Sequence, residues 1–303
     1  MTIDAVDSMW PSEDSAQAGF LKLPIEIRLM IYSHLLLPPA NAIHTTAAAR
    51  ILPSASDYFN YEPASSSPST PSIKHSSTNL LKIRTEDPTS YQARRPSHVR
   101  TRYMIRSDRF RARCMHTTYC LLSNPSLFSS ILHTNARIHA EAAETLYGGC
   151  VFDFDNHVEA VVPFFSDLTP IARSYVRGVR LVKRALPYEK EFDRAEWANA
   201  ISYLADNVPL RSLDLGIVAG KPASSGWEGV EPYVEMDWRY LKEMDGMEWV
   251  NDLLAIKGLE RLDIRAVVEH CPPPMSTAMA RYIKFSASVE GSFSDYLQGV
   301  MVA

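Results

Sequence analysis

Three apolar runs in the C-terminal half constrain the fold most: VRGVRLV from Val176, LRSLDLGIV from Leu210 and LERLDIRAVV from Leu259. Amphipathic stretches near Ala195–Asp206 and Asp237–Ile256 precede the last two and carry helical spacing. Strands that alternate with helices pair in parallel, because the chain must cross over before it returns to the same edge. Leu213-Asp214 recurs as Leu262-Asp263, 49 residues later. That self-similarity suggests successive turns of a helix–strand coil resembling a leucine-rich repeat, although the spacing exceeds the usual repeat of about 20–29 residues. The loop AGKPASSGWEGVEP accounts for the excess.

The N-terminal half is organised differently. FLKLPIEIRLMIYSHLLL reads as a helix opening at Pro24 and stopped by Pro38 and Pro39. At about 100° per residue, Ile25, Leu29, Tyr32 and Leu36 form one apolar stripe, and Pro24, Ile27, Ile31 and Leu35 form a second. Arg28 falls between them. A surface helix needs one stripe, so two imply a helix sandwiched within its own fold or between the fold and a partner. A second helix is expected from Asn124 as N-cap and Pro125, through Leu132, Ile138, Ala142, Leu146 and Tyr147, to a stop at Gly148-Gly149. The strand CVFDF follows it.

Between these helices, residues 40–79 are rich in Ser, Pro, Thr and Ala, with a low-complexity core EPASSSPSTPSIKHSS. Lys82 to Arg113 then carries a local charge of +7, from ten basic and three acidic residues. Arg94, Arg95, Arg100, Arg102, Arg106, Arg109, Arg111 and Arg113 make up most of it. With Tyr91, Tyr103 and Phe110 interleaved, the segment is a candidate for single-stranded nucleic acid, for nuclear import or for a solvated loop. No nucleic-acid-binding motif accompanies it, and the whole chain has a net charge of −4, so nucleic acid is not the favoured partner.

The expected organisation is an N-terminal stretch without structure over 1–19, a helical region over 20–155 with a flexible and then basic insertion at about 40–120, a repeat-like α/β unit over 156–271, and a tail over 272–303 that can hold one short helix. The fold class is α/β, α+β overall.

Chemistry is sparse. There is no G-x-S-x-G, P-loop, G-x-G-x-x-G or H-E-x-x-H motif. Cys114, His116 and Cys120 lie close together with His133 and His139 farther on, but C-x₅-C does not match paired zinc ligands. The eight carboxylates between Glu228 and Asp252 read as a solvated face, and Trp227, Trp238 and Trp249 in the same region read as core. The expectation is no catalytic residue, metal or cofactor. The N-terminus lacks the apolar core of a secretory signal, no apolar run is long enough to span a membrane, and four irregularly spaced cysteines suit a reducing cytoplasm or nucleus.

Two blocks resemble a known family. LPIEIRLMIYSHLL resembles the opening of the F-box, in the L-P-x-E-I-R-x-x-I-Y wording of ascomycete fungal proteins, at Leu23, Pro24, Glu26, Ile27, Arg28, Ile31, Tyr32 and Leu35. LHTNARIHAEAAETLYGGCVFDF resembles their second block at Leu132, Ile138, Glu141, Ala142, Leu146, Tyr147, Phe152 and Phe154. The resemblance implies that Leu23, Pro24, Ile27, Ile31 and Leu35 contact a Skp1-like adaptor of a cullin-type ubiquitin ligase, while the rest of the chain recognises an unknown target protein. The protein would then be a non-enzymatic substrate adaptor. A scaffold with no ligase link, its first helix buried in its own core, is the main alternative.

Overall fold

The computed structural model describes residues 19–37, 79–86, 103–105, 115–121, 129–185, 191–222 and 227–302. A seven-stranded sheet organises them: β1 (Asn79–Glu86), β2 (Tyr103–Ile105), β3 (Met115–Leu121), β4 (Cys150–Asp155), β5 (Gly178–Lys183), β6 (Ser212–Pro222) and β7 (Arg261–Cys271). The spatial order is β2-β3-β1-β4-β5-β6-β7. The five strands from β1 to β7 run parallel, and β3 and β2 add an antiparallel edge. From β4 onward each strand lies beside its predecessor. Crossovers of one hand, repeated in one direction, place their helices on one face of the sheet.

The register makes that division explicit. Leu81, Phe152, Val179, Leu213 and Leu262 are successive partners across all five parallel strands, and all are buried. One residue on, facing the other way, the row reads Lys82, Asp153, Arg180, Asp214 and Asp263. Arg180 and Arg265 both donate to the Asp214 carboxylate, so this polar face neutralises itself. The Leu-Asp repeat read from the sequence is the β6–β7 register, with Leu213 opposite Leu262 and Asp214 opposite Asp263.

On the apolar face lie α1 (Ile25–Leu36), α2 (Ala136–Gly149), α3 (Val161–Asp167), α4 (Pro170–Tyr175), α5 (Glu191–Asn207), α6 (Trp238–Leu241), α7 (Glu248–Leu253), α8 (Thr277–Ser288) and α9 (Ser294–Met301). Phe164 and Phe165 of α3 pack on Phe152. Toward the C-terminus, Trp197, Trp238, Trp249, Phe285 and Phe293 form a continuous aromatic cluster with ring centres 4.6–6.4 Å apart. Trp238 and Trp249 are core residues, and Trp227 is half-buried with its indole N–H donated to the Gly220 carbonyl.

Several elements differ from the sequence reading. The second helix is capped by Asn135, whose side chain accepts from the Arg137 N–H, and a short 3-10 turn at Ser129–His133 precedes it. Asn124 and Pro125 lie outside the described residues. Asp237–Ile256 is not one helix: Gly246, at a φ of 85°, breaks it between α6 and α7. Inside the stretch expected to be an insertion, β1 sits between β3 and β4 as an inner strand.

Residues 272–303 hold two helices rather than one. The reason lies in the strands: β5 stops pairing at Lys183–Ile217, whereas β6 and β7 continue together to Pro222–Cys271. That leaves a stretch of β6 with an unpaired edge, and unpaired backbone groups must find partners when buried. Helix α8 supplies them. Ser286 Oγ accepts from the Gly220 N–H, and the Tyr282 hydroxyl reaches the Val218 carbonyl. Gly220 is required for this approach, since a Cβ there would lie 2.3 Å from the Tyr282 ring.

Among the buried groups that are poorly served, Glu196 has a consequence for pH. Glu196 on α5 is 4% exposed and its Oε1 meets no donor. Burial, with Glu159 and Asp193 nearby, pushes its carboxyl up to about 8. A raised acid keeps its proton in the folded state after the unfolded chain has released it, so stability falls as pH climbs from about 4.5 to about 8, by up to about 1.4 kcal/mol per pH unit. Glu196→Gln is expected to remove that slope: variant and wild type match near pH 4.5, and the variant is the more stable at pH 8. Urea titrations at the two pH values measure the difference.

Candidate functional site

The candidate site is the exposed side of α1, and it exists because of what holds the other side. Pro24 opens the helix, with the Ile27 and Arg28 N–H groups bonded to its carbonyl. One turn in, Arg28 turns inward and is 3% exposed. Its guanidinium grips the Glu141 carboxylate of α2 through two bonds, Nε to Oε2 at 2.9 Å and Nη2 to Oε1 at 2.7 Å. Nη1 donates to the Leu23 and Leu21 carbonyls, tying the chain ahead of the helix to the same centre. The Tyr32 hydroxyl, one turn farther on, donates to Glu141 Oε2 at 3.1 Å, and Arg137 adds a bond to Oε1. The Arg28 guanidinium, helped by Tyr32 and Arg137, holds the Glu141 carboxyl down at about 2, whereas burial and the neighbouring carboxylate push the Tyr32 phenol up. Arg28 and Glu141 lie 113 residues apart, and they join the two blocks on which the family resemblance rests.

With Arg28, Tyr32 and Leu36 inside, the helix turns apolar side chains to solvent. Ile27 is 42% and Met30 60% exposed, and Leu23, Ile25 and Leu29 are exposed as well. Ile27 and Met30 are neighbours on the outward side of the helix, while Ile25 and Leu29 lie nearer the buried side with Glu26 between the two pairs, and this many exposed apolar side chains on one twelve-residue helix suits an interaction surface. The helix is inverted: its arginine is inside and its largest unbranched apolar side chain is outside.

Of the residues singled out by sequence, Leu23, Pro24 and Ile27 are exposed, while Ile31 and Leu35 sit half-buried on the shoulder, Leu35 against the core. The outward face is therefore rotated from the predicted stripe, and Met30 joins it where Leu35 leaves it. Met30 was legible in principle, being three residues from Ile27 on the same helical face. The expected stripe of Ile25, Leu29, Tyr32 and Leu36 divides along its length, with the first two exposed and the last two buried.

The eight arginines from Arg94 to Arg113 lie outside the described residues. Two basic residues of the same segment are described. Lys82 and Arg84 belong to β1, and Arg84 is buried, donating to the Ile83 and Asp153 carbonyls and pairing with Asp155. Their charge serves the sheet. Within the region of the expected carboxylate face there is a cavity of about 500 Å³, but among the described residues Asp245 is the one carboxylate lining it. Its walls are mainly aromatic and apolar. Among the described residues no group of three His, Cys, Asp or Glu side chains is placed to hold a metal ion, and no helix is long and apolar enough to cross a membrane.

Comparison with models of known families, with curated proteins and with solved structures finds no match for this chain.

Proposed function

We propose that the protein is a non-enzymatic interaction protein whose first helix docks on a Skp1-like adaptor, and that it serves as an F-box-type substrate adaptor of a cullin-type ubiquitin ligase. One observation carries the reading: Arg28 is buried and clamped while Leu23, Ile27 and Met30 face solvent, which suits an amphipathic helix laid in an apolar groove. The resemblance of the LPIEIRLMIY string to the F-box opening supplies the partner. The self-consistency of the clamp supports it further, because the Arg and Tyr of the first block and the Glu of the second form a single bonded unit.

In this role the protein contributes no chemistry of its own. It holds a target near a transfer enzyme and so raises the local concentration of one at the other. Co-expression with the host's Skp1-like adaptor, followed by affinity capture, tests the proposal. Wild type is expected to retain the adaptor and Ile27→Asp/Met30→Asp to lose it. Both positions are exposed, so the variant should keep its fold by circular dichroism. Absence of capture by wild type would remove the ligase link.

A further inference from the structure

The cavity of about 500 Å³ lies beyond the C-terminal end of β5, where Ala185 leaves the sheet, and is bounded by α5, α6, the turn at Met244–Met247 and α8. The volume is that of a small-molecule site, which is typically apolar with a few fixed polar groups.

Its polar groups are sorted. Arg194, on one side, faces Asp245 and Glu248 at 3.7–3.8 Å, so its charge is offset at the rim. Arg281, exposed on α8, has no ion pair or hydrogen bond among the described residues, so its guanidinium is held by water alone; it lines the same cavity and sits close enough to Tyr233 to favour its ionised form. Burial, with the Asp237 carboxylate adding to it, outweighs that influence and raises the Tyr233 phenol, so Tyr233 remains a hydroxyl able to donate, and the Lys284 ammonium 4.6 Å from its ring centre adds a second cation.

The apolar lining combines a fixed part with adaptable side chains. Trp238 is fixed by donating its indole N–H to Ser292 Oγ and by edge-on packing against Phe285 and Tyr233. Met244 and Met247 also line it, and their unbranched side chains conform to varied shapes.

A solvated guanidinium without a protein partner among the described residues, lining an aromatic and methionine-rich cavity, suits an anion with an apolar body. We propose that this cavity binds a small organic anion with a flat apolar body, its charged group on Arg281 and Tyr233 and its body between Phe285 and the methionines. The site is separate from α1 and independent of the adaptor reading.

Calorimetric titration of the full chain with 2-naphthoate and with its neutral analogue 2-naphthamide tests this. Wild type is expected to bind the naphthoate at least tenfold more tightly than the amide. Arg281→Ala should bring the two affinities together by weakening the naphthoate alone. Ala278→Trp, which fills the mouth from an exposed position on α8, should weaken both at least tenfold. Equal affinity of wild type for the two probes, naphthoate binding insensitive to Arg281→Ala, or no binding at millimolar probe would each overturn the proposal.

Discussion

Trp249→Ala is expected to cost about 3–5 kcal/mol of folding stability, the range for removing a large aromatic side chain from a close-packed core. Trp249 is wholly buried and touches Trp197, Phe285 and Phe293, and its carbonyl accepts the Trp197 indole N–H. It is therefore the side chain through which α5, α7, α8 and the π-helical segment Val289–Phe293 meet. Truncation removes ring contacts to three elements at once, and the surrounding rings are too rigid to close the void. Trp227→Ala, at a half-buried position, should cost much less. Denaturant titrations of the two variants under one condition measure the contrast, and equal losses would mean that the aromatic cluster is not the C-terminal core.

The second large effect concerns the clamp. Glu141→Gln keeps the shape of the side chain but removes the charge that Arg28, Tyr32 and Arg137 all address. Breaking a buried pair from one side leaves the other charge uncompensated, which is far more damaging than losing a surface ion pair. A fall of roughly 5–10 °C in melting temperature is expected, with α1 released before the sheet. Arg137→Ala, at an exposed residue making one bond to the same carboxylate, should have little effect. The clamp also predicts a direction for pH. Because the folded carboxyl is held at about 2, below the ordinary value of 4.5, its contribution is complete above about pH 4.5. It is lost as pH falls toward 2. Acid should therefore loosen α1 in wild type, and Glu141→Gln should lose that particular dependence. Limited proteolysis near Leu23–Leu37 across this range reads the release directly.

These effects also show which features the sequence exposed. The β6 and β7 strands were legible because Leu213-Asp214 and Leu262-Asp263 repeat both the alternation and the residue types, and the register aligns them. Strand β1 was not. Leu81 and Ile83 alternate with Lys82 and Arg84, a period-two pattern, but the charges ally the segment with the arginines that follow. Its neighbour β4 begins 64 residues after β1 ends, so no local pattern announces the pairing. The C-terminal helices were hidden for a similar reason: what they satisfy is the free edge of β6, visible only once β5 is seen to end early.

At the candidate site the limitation is also one of distance. The wheel placed Arg28 between two apolar stripes, where an arginine ordinarily reaches for water. Glu141 reverses that choice from 113 residues away, and in doing so selects which face of α1 is left outside. The apolar character of the helix was readable from its sequence, but its orientation was not. For the same reason the predicted contact set of Leu23, Pro24, Ile27, Ile31 and Leu35 overlaps the exposed face without coinciding with it.

The docking surface proposed for a Skp1-like adaptor is the outward face of α1. Titration calorimetry of the purified full chain with the purified adaptor, for wild type and for Ile27→Asp/Met30→Asp, tests it most directly. Wild type is expected to form a saturable one-to-one complex and the variant to lose at least about a hundredfold in affinity, as when central apolar anchors are replaced by charge, with the melting temperature unchanged. No heat of binding from wild type, or equal affinity for the two proteins, would contradict it.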